Sequence, residues 1–172
     1  MLTHRTSLLA ATALAAAFGC AGTQTARFYP ARAQGQGDGY PAALHQVKVA
    51  EQNVASVSVW TAGLYPLAEG QRPILHVSLL VQNTGSLPAE LNVAATQIGI
   101  MTSPVTPPAL VRPYHVAGST LVQPGQTGRV DTYYALPDAI RVDDIAGFYT
   151  SWELKTSAGV SAEYTPFVRY RR

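Results

Sequence analysis

Cysteine is almost missing from this sequence: Cys20 is the only one in 172 residues. No intramolecular disulfide can form, so stability must come from an apolar core. Charge is scarce as well. Charged residues make up 13% of the chain, about half the usual share, which leaves few side chains for salt-bridged helices or an ionic active site. The net charge is +2 and falls to +1 once residues 1–19, which carry Arg5, are removed. A nucleic-acid surface needs a clustered basic footprint. The only basic cluster is Arg169, Arg171 and Arg172, which reads as a solubilising end. No nucleic-acid partner is expected.

Catalytic and metal-binding patterns are missing too. There is no G-x-S-x-G elbow and no phosphate loop. Asp143 and Asp144 adjoin, but sequence neighbours diverge on a strand or loop, so they read as a solvated turn. Zinc needs three or four convergent ligands, whereas His45, His76 and His115 stand apart in the sequence. His76 has the parity opposite to its apolar neighbours, which predicts an exposed or edge position. Met101 is the only methionine after the first residue, too few for a copper-binding cluster. The expectation is no catalytic residue, no metal ligand and no cofactor.

What is present begins with an export signal. Residues 1–7 carry His4 and Arg5, and residues 8–18 form an apolar run. That length suits a signal-peptide h-region and is too short to span a bilayer, which takes roughly 20 residues. Cys20 follows Gly19 directly. The stretch Ala17-Phe18-Gly19-Cys20 resembles the lipobox of bacterial lipoproteins. That resemblance implies cleavage after residue 19 and a lipid on the Cys20 thiol, giving a membrane partner through the N-terminal acyl chains. Residue 21 is Ala rather than Asp, which by the same resemblance implies the outer membrane. The alternative is soluble secretion, with Ala31-Arg32-Ala33 as a small-x-small cleavage site.

Residues 20–44 read as a flexible lipid-anchored linker. Gly, Gln, Ala and Pro dominate there without an apolar period, so burial cannot offset ordering entropy. Phe28 and Tyr29, the adjacent aromatic pair in it, read as disordered passengers, with contact to the membrane surface or the domain as the alternative. Residues 45–172 read as one domain. Period-two alternation runs through residues 46–50 and 54–61, with Val57 and Val59 opposite Trp60, before Gly63 and Pro66 break the chain. It is strongest at Leu75, Val77, Leu79 and Val81, at Val130, Thr132, Tyr134 and Leu136, and at Phe148, Thr150, Trp152 and Leu154. Leu91, Val93 and Ala95 share a parity that Ile98 and Ile100 do not, which predicts a bulge near Thr96-Gln97. Four prolines in residues 102–113 predict a long loop or an edge. Ser157-Ala158-Gly159 predicts a tight hairpin into a last strand. The sum is an all-β chain of about seven strands in an antiparallel sandwich.

The order of turns carries a second resemblance. LLVQNTG closes one core strand, and LVQPGQTGRVDTYYALP opens another, with Asn83, Gly85, Pro124, Gly125 and Pro137 at the turns. This is similar to the immunoglobulin-like lipoprotein modules of bacterial envelopes, the DUF4352 and CARDB-like sandwiches. Such modules are generally non-catalytic, so the resemblance implies a scaffold docking a protein partner of unknown identity. Docking would use an edge strand or the loop at residues 102–118. Tyr133 and Tyr149 fall on predicted outer faces and would form an aromatic patch if their strands adjoined. That patch supports the alternative of a carbohydrate- or small-ligand-binding module.

Overall fold

The computed structural model describes residues 26–65, 72–103 and 107–170. The strands there are β1 (Phe28–Pro30), β2 (Gly35–Gly37), β3 (Tyr40–Val49), β4 (Gln52–Tyr65), β5 (Ile74–Asn83), β6 (Ala89–Leu91), β7 (Gln97–Thr102), β8 (Ala109–Val111), β9 (His115–Gly118), β10 (Leu121–Val122), β11 (Thr127–Ala135), β12 (Ile145–Thr156) and β13 (Gly159–Arg169). Two short 3-10 turns, Val93–Ala95 and Val142–Asp144, are the helical elements described. No helix among the described residues is long and apolar enough to cross a membrane.

The strands build two antiparallel sheets. One has six strands in the order β2-β3-β4-β5-β11-β9. The other has seven: β1-β13-β12 is continued by β6 and β10 at one end of β12, and by β7 and β8 at the other. The core lies between the sheets because the alternation predicted from sequence places apolar side chains on both inner faces. Val57, Val59, Leu75, Val77, Leu79, Val130 and Tyr134 come from the six-stranded sheet, and Phe148, Trp152, Leu154 and Phe167 from the other. Each such burial contributes about 1.5–3 kcal/mol. Phe148 stacks on Phe167 at 4.6 Å and receives the edge of Phe28 at 5.3 Å.

Several expectations change. The linker reading ends before residue 26. Phe28 and Ala42 are buried, and β1, β2 and the start of β3 occupy the segment. Short strands stabilised by distant partners carry no period of their own. Phe28 is therefore a core residue, while Tyr29 packs on Tyr170 at 5.0 Å. Gly63 does not end its strand: at φ +92° it makes a bulge, and β4 runs on to Tyr65. The parity slip before Ile98 is real, but the 3-10 turn at Val93–Ala95 absorbs it. The predicted 102–118 loop contains β8 and β9, edge strands of opposite sheets. The strand count exceeds seven because many strands are two to four residues long. Residues 1–25, with the signal segment and Cys20, lie outside the described residues, as do Arg171 and Arg172.

Candidate functional site

Polar side chains converge on the outer face of the six-stranded sheet. Cross-strand pairing sets Trp60 opposite Ser78 and Ser78 opposite Asp131, with His76 and Tyr133 in the adjacent row. Asp131 accepts hydrogen bonds from Ser78 Oγ at 2.5 Å and from Arg129 Nε at 2.9 Å. His76 Nε2 lies 2.9 Å from the same carboxylate. Arg129 also pairs with Asp38, at the tip of the β2–β3 hairpin. That tip is Asp38-Gly39, both at positive φ, the geometry of a tight two-residue turn. The hairpin folds over the sheet, and the Gly37 backbone lies against the indole of Trp60. Trp60 is consequently only 2% exposed despite its outward parity.

Ser78, His76 and Asp131 are the residue types of a hydrolytic triad, but their geometry is different. A triad sets serine and carboxylate on opposite ring nitrogens. Here Ser78 Oγ at 3.3 Å and Asp131 at 2.9 Å share Nε2 of His76. The nitrogen that donates to Asp131 cannot also accept from Ser78. Burial lowers the His76 pKa against the opposing pull of Asp131. Burial also pushes Asp131 up, but hydrogen bonds from Arg129, Ser78 and His76 outweigh it and hold the carboxyl below its ordinary value. The expectation of an exposed or edge His76 is corrected: β5 is a central strand, and Tyr133 stacks on the imidazole at 4.7 Å.

Tyr133 and Tyr149 are not brought together. Tyr133 belongs to β11 of one sheet and Tyr149 to β12 of the other. Tyr133 lies between His76 and His115, at 4.7 and 5.4 Å. Tyr149 covers Gly99, its cross-strand neighbour, where a Cβ would meet the ring at 2.3 Å. Both rings fill places in their own sheets. Among the described residues, no three His, Cys, Asp or Glu side chains gather to hold a metal ion.

The second feature is an open edge. β13 pairs with β12 from Gly159 to Val168, but β1 covers it only from Phe167 to Arg169. The two-residue turn at Ser157-Ala158 sets the hydrogen-bond phase. Ser161, Glu163 and Thr165 bond inward to β12, whereas Val160, Ala162 and Tyr164 turn their N–H and C=O groups outward. The bond from Ala31 N–H to the Pro166 carbonyl, 2.9 Å, agrees with that phase. Val160 and Tyr164 are 54% and 66% exposed. The chain leaves this lane after Ala31 to join the other sheet, and a groove of about 470 Å³ opens there, lined by Arg32, Leu44, His45, Tyr164 and Thr165.

His45 joins the sheets at this groove. Trp152 Nε1 donates to Thr165 Oγ1 at 3.5 Å, and Thr165 Oγ1 stands 2.9 Å from His45 Nε2. Indole nitrogen only donates, and the threonine hydroxyl can accept it while either donating to or accepting from His45, according to the imidazole tautomer. His45 Nδ1 faces Glu163 at 3.8 Å. Burial lowers the His45 pKa, with Glu163 pulling the other way.

Likeness to known proteins is structural and distant. No family model and no curated protein matches this chain. A crystal structure of the structural genomics target SoR45 aligns with TM-score 0.38 and 12% identity, over 67% of this chain and 82% of its own. A FixG-related protein from Vibrio parahaemolyticus aligns with TM-score 0.38 and 15% identity, over 68% of this chain and 97% of its own. Neither similarity carries an argument about function.

Two structural side chains escaped the sequence reading. Arg169, counted with the basic tail, donates to the carbonyls of Val142, Asp143 and Ile145 and is largely buried. Asn83 donates to the carbonyls of Leu87 and Val122 and accepts from Gly85 N–H, so its amide ties the turn to β10. The N-x-G turn chemistry pointed to Asn83, but not to its burial.

Proposed function

We propose that this chain is a non-catalytic lipoprotein of the bacterial cell envelope, anchored through Cys20 in the outer membrane. Its sandwich docks a protein partner by taking an extended segment as an added strand on β13. The observation that carries the reading is the outward row of main-chain groups at Val160, Ala162 and Tyr164. An exposed edge is a template for strand addition, and natural sheets usually blunt it with Lys, Pro or a covering loop. Residues 159–165 hold neither Lys nor Pro. β1 already occupies the same lane further on, with Phe28 wedged between the sheets. An incoming strand would continue that pattern. Only residues 21–25 separate Cys20 from Ala26, and so short a segment reaches about 20 Å at most. The anchor therefore holds Ala26, beside the Tyr170 end of the β1–β13 pair, close to the membrane surface.

The test is a photocrosslinking phenylalanine analogue in place of Tyr164, expressed in cells. Capture of a protein is expected, and its loss is expected in Ala162→Pro, which removes one outward N–H and leaves the bonds to β12. Capture that persists in a folded Ala162→Pro chain, or no capture at all, refutes the reading.

A second reading, carbohydrate or small-ligand binding, draws on the row Tyr114, His115, Tyr133 and His76 along one end of the six-stranded sheet. Tyr114 is 58% exposed and offers a stacking face. Glycan titration that shifts the Tyr114 and Tyr133 ring signals would favour it.

A further inference from the structure

The open stretch of β13 has its own symmetry. It runs from Gly159, where the hairpin begins, to Thr165, because Pro166 has no N–H and β1 fills the lane beyond. Its midpoint is Ala162. We infer that the occupant of this edge is a second copy of the same chain, paired antiparallel about a two-fold axis through Ala162. The inference rests on the strand-addition reading and names its partner.

That register satisfies the whole stretch at once. Ala162 meets Ala162 of the second copy, and Val160 meets Tyr164, each pair exchanging N–H···O bonds in both directions. Val160 and Tyr164 are the two exposed large apolar side chains of this stretch. An aromatic ring opposite a β-branched residue is a favourable cross-strand pair. On the inner side, Ser161 meets Glu163. Within one chain the Glu163 carboxylate has only long contacts, 3.5 Å from Ser161 Oγ and 3.8 Å from His45. The second copy's Ser161 brings a hydroxyl donor to it. Glu163 is the only charged residue from 159 to 165, and the register keeps the two copies of it from lying opposite each other. Small Ala162 on the axis leaves the backbones free to approach.

The pairing ends at Thr165 on each copy, because Ala31 N–H already bonds the Pro166 carbonyl beside the groove. A self-paired edge of this kind is isologous and closed, so it stops at two copies instead of growing into a fibre. Seven residues a side bury less than a standard interface of roughly 1,600 Å². The dimer is therefore weak in dilute solution. Confining both copies to one membrane surface raises their effective concentration and favours it.

The experiment uses the full chain in mild detergent, followed by sedimentation over a wide concentration range. Wild type is expected to pass from monomer to dimer. Ala162→Lys and Ala162→Glu each place like charges on the axis, and each is expected to remain monomeric, while an equimolar mixture of the two recovers the dimer. Position 162 is exposed, and unchanged thermal unfolding of both variants confirms that they fold. A wild type that stays monomeric, or a lysine variant that dimerises like wild type, overturns the inference. The crosslink from position 164 in cells separates this failure from the broader one. An adduct of twice the chain mass supports the second copy. An adduct with a different protein alone overturns the second copy and leaves strand addition standing, and the absence of any adduct removes both.

Discussion

Replacing Phe28 with Ala tests whether the chain before Tyr40 belongs to the sandwich. Phe28 is 2% exposed and lies on β1, a strand of three residues held to β13. Its ring meets Phe148 edge-on at 5.3 Å, and Phe148 in turn stacks on Phe167. Truncation removes buried area and leaves a cavity between the sheets, a loss of about 3–5 kcal/mol for a phenylalanine in a core. For a chain of this size each kcal/mol lowers Tm by about 2–4 °C, so a fall of roughly 6–20 °C is expected. Tyr29→Ala is the control, since Tyr29 is only partly buried against Tyr170, and it should cost much less. The assay is thermal and urea unfolding followed by circular dichroism. If Phe28→Ala unfolds within a degree or two of wild type, the N-terminal segment is a tether after all and the assignment of β1 is wrong.

Other consequences follow from single contacts. Gly37→Ala puts a Cβ at 2.3 Å from the Trp60 ring. It should lift the β2–β3 hairpin, red-shift tryptophan fluorescence and destabilise by about 1–3 kcal/mol, as overpacking does. Asn83→Leu should cost about 1–3 kcal/mol, because the Val122 carbonyl, in a buried hydrogen bond, and the part-buried Leu87 carbonyl lose their donor; denaturant titration measures it. The lowered pKa of Asp131 means that its contribution to stability is complete above the unfolded carboxyl value near 4 and is lost as pH falls through the folded value. Asp131→Asn should flatten that acid limb. Labelled fatty acid should enter the wild-type chain and be absent from Cys20→Ala; no label in wild type refutes the anchor.

The legible part of the fold is the part where one strand faces water on one side and core on the other. Leu75, Val77, Leu79 and Val81, and likewise Phe148, Trp152 and Leu154, are buried as their alternation required. Trp60 breaks the rule because the β2–β3 hairpin covers the outer face of its sheet, and nothing in the local pattern of residues 54–61 reports a distant hairpin. Residues 26–44 were illegible for a related reason. Their strands are short, and Phe28 is recognisable as core only once Phe148 is known to lie beneath it. Tyr133 and Tyr149 show the limit of parity: it assigned each to an outer face but could not say that the faces belong to different sheets. The open edge was the least visible feature. The turn at Ser157-Ala158 was read from sequence, but whether β13 has a second neighbour depends on where β1 departs.

The account stands most directly on the main-chain groups of β13. Amide hydrogen exchange resolved by residue measures them. In the dilute chain, Ser161 and Glu163, bonded to β12, should exchange slowly, while Val160, Ala162 and Tyr164 exchange at nearly the rate of free peptide; raising the concentration should then protect those three. Equal protection of all five amides in the dilute chain would mean that the edge is already closed, and the docking proposal would have no strand to stand on.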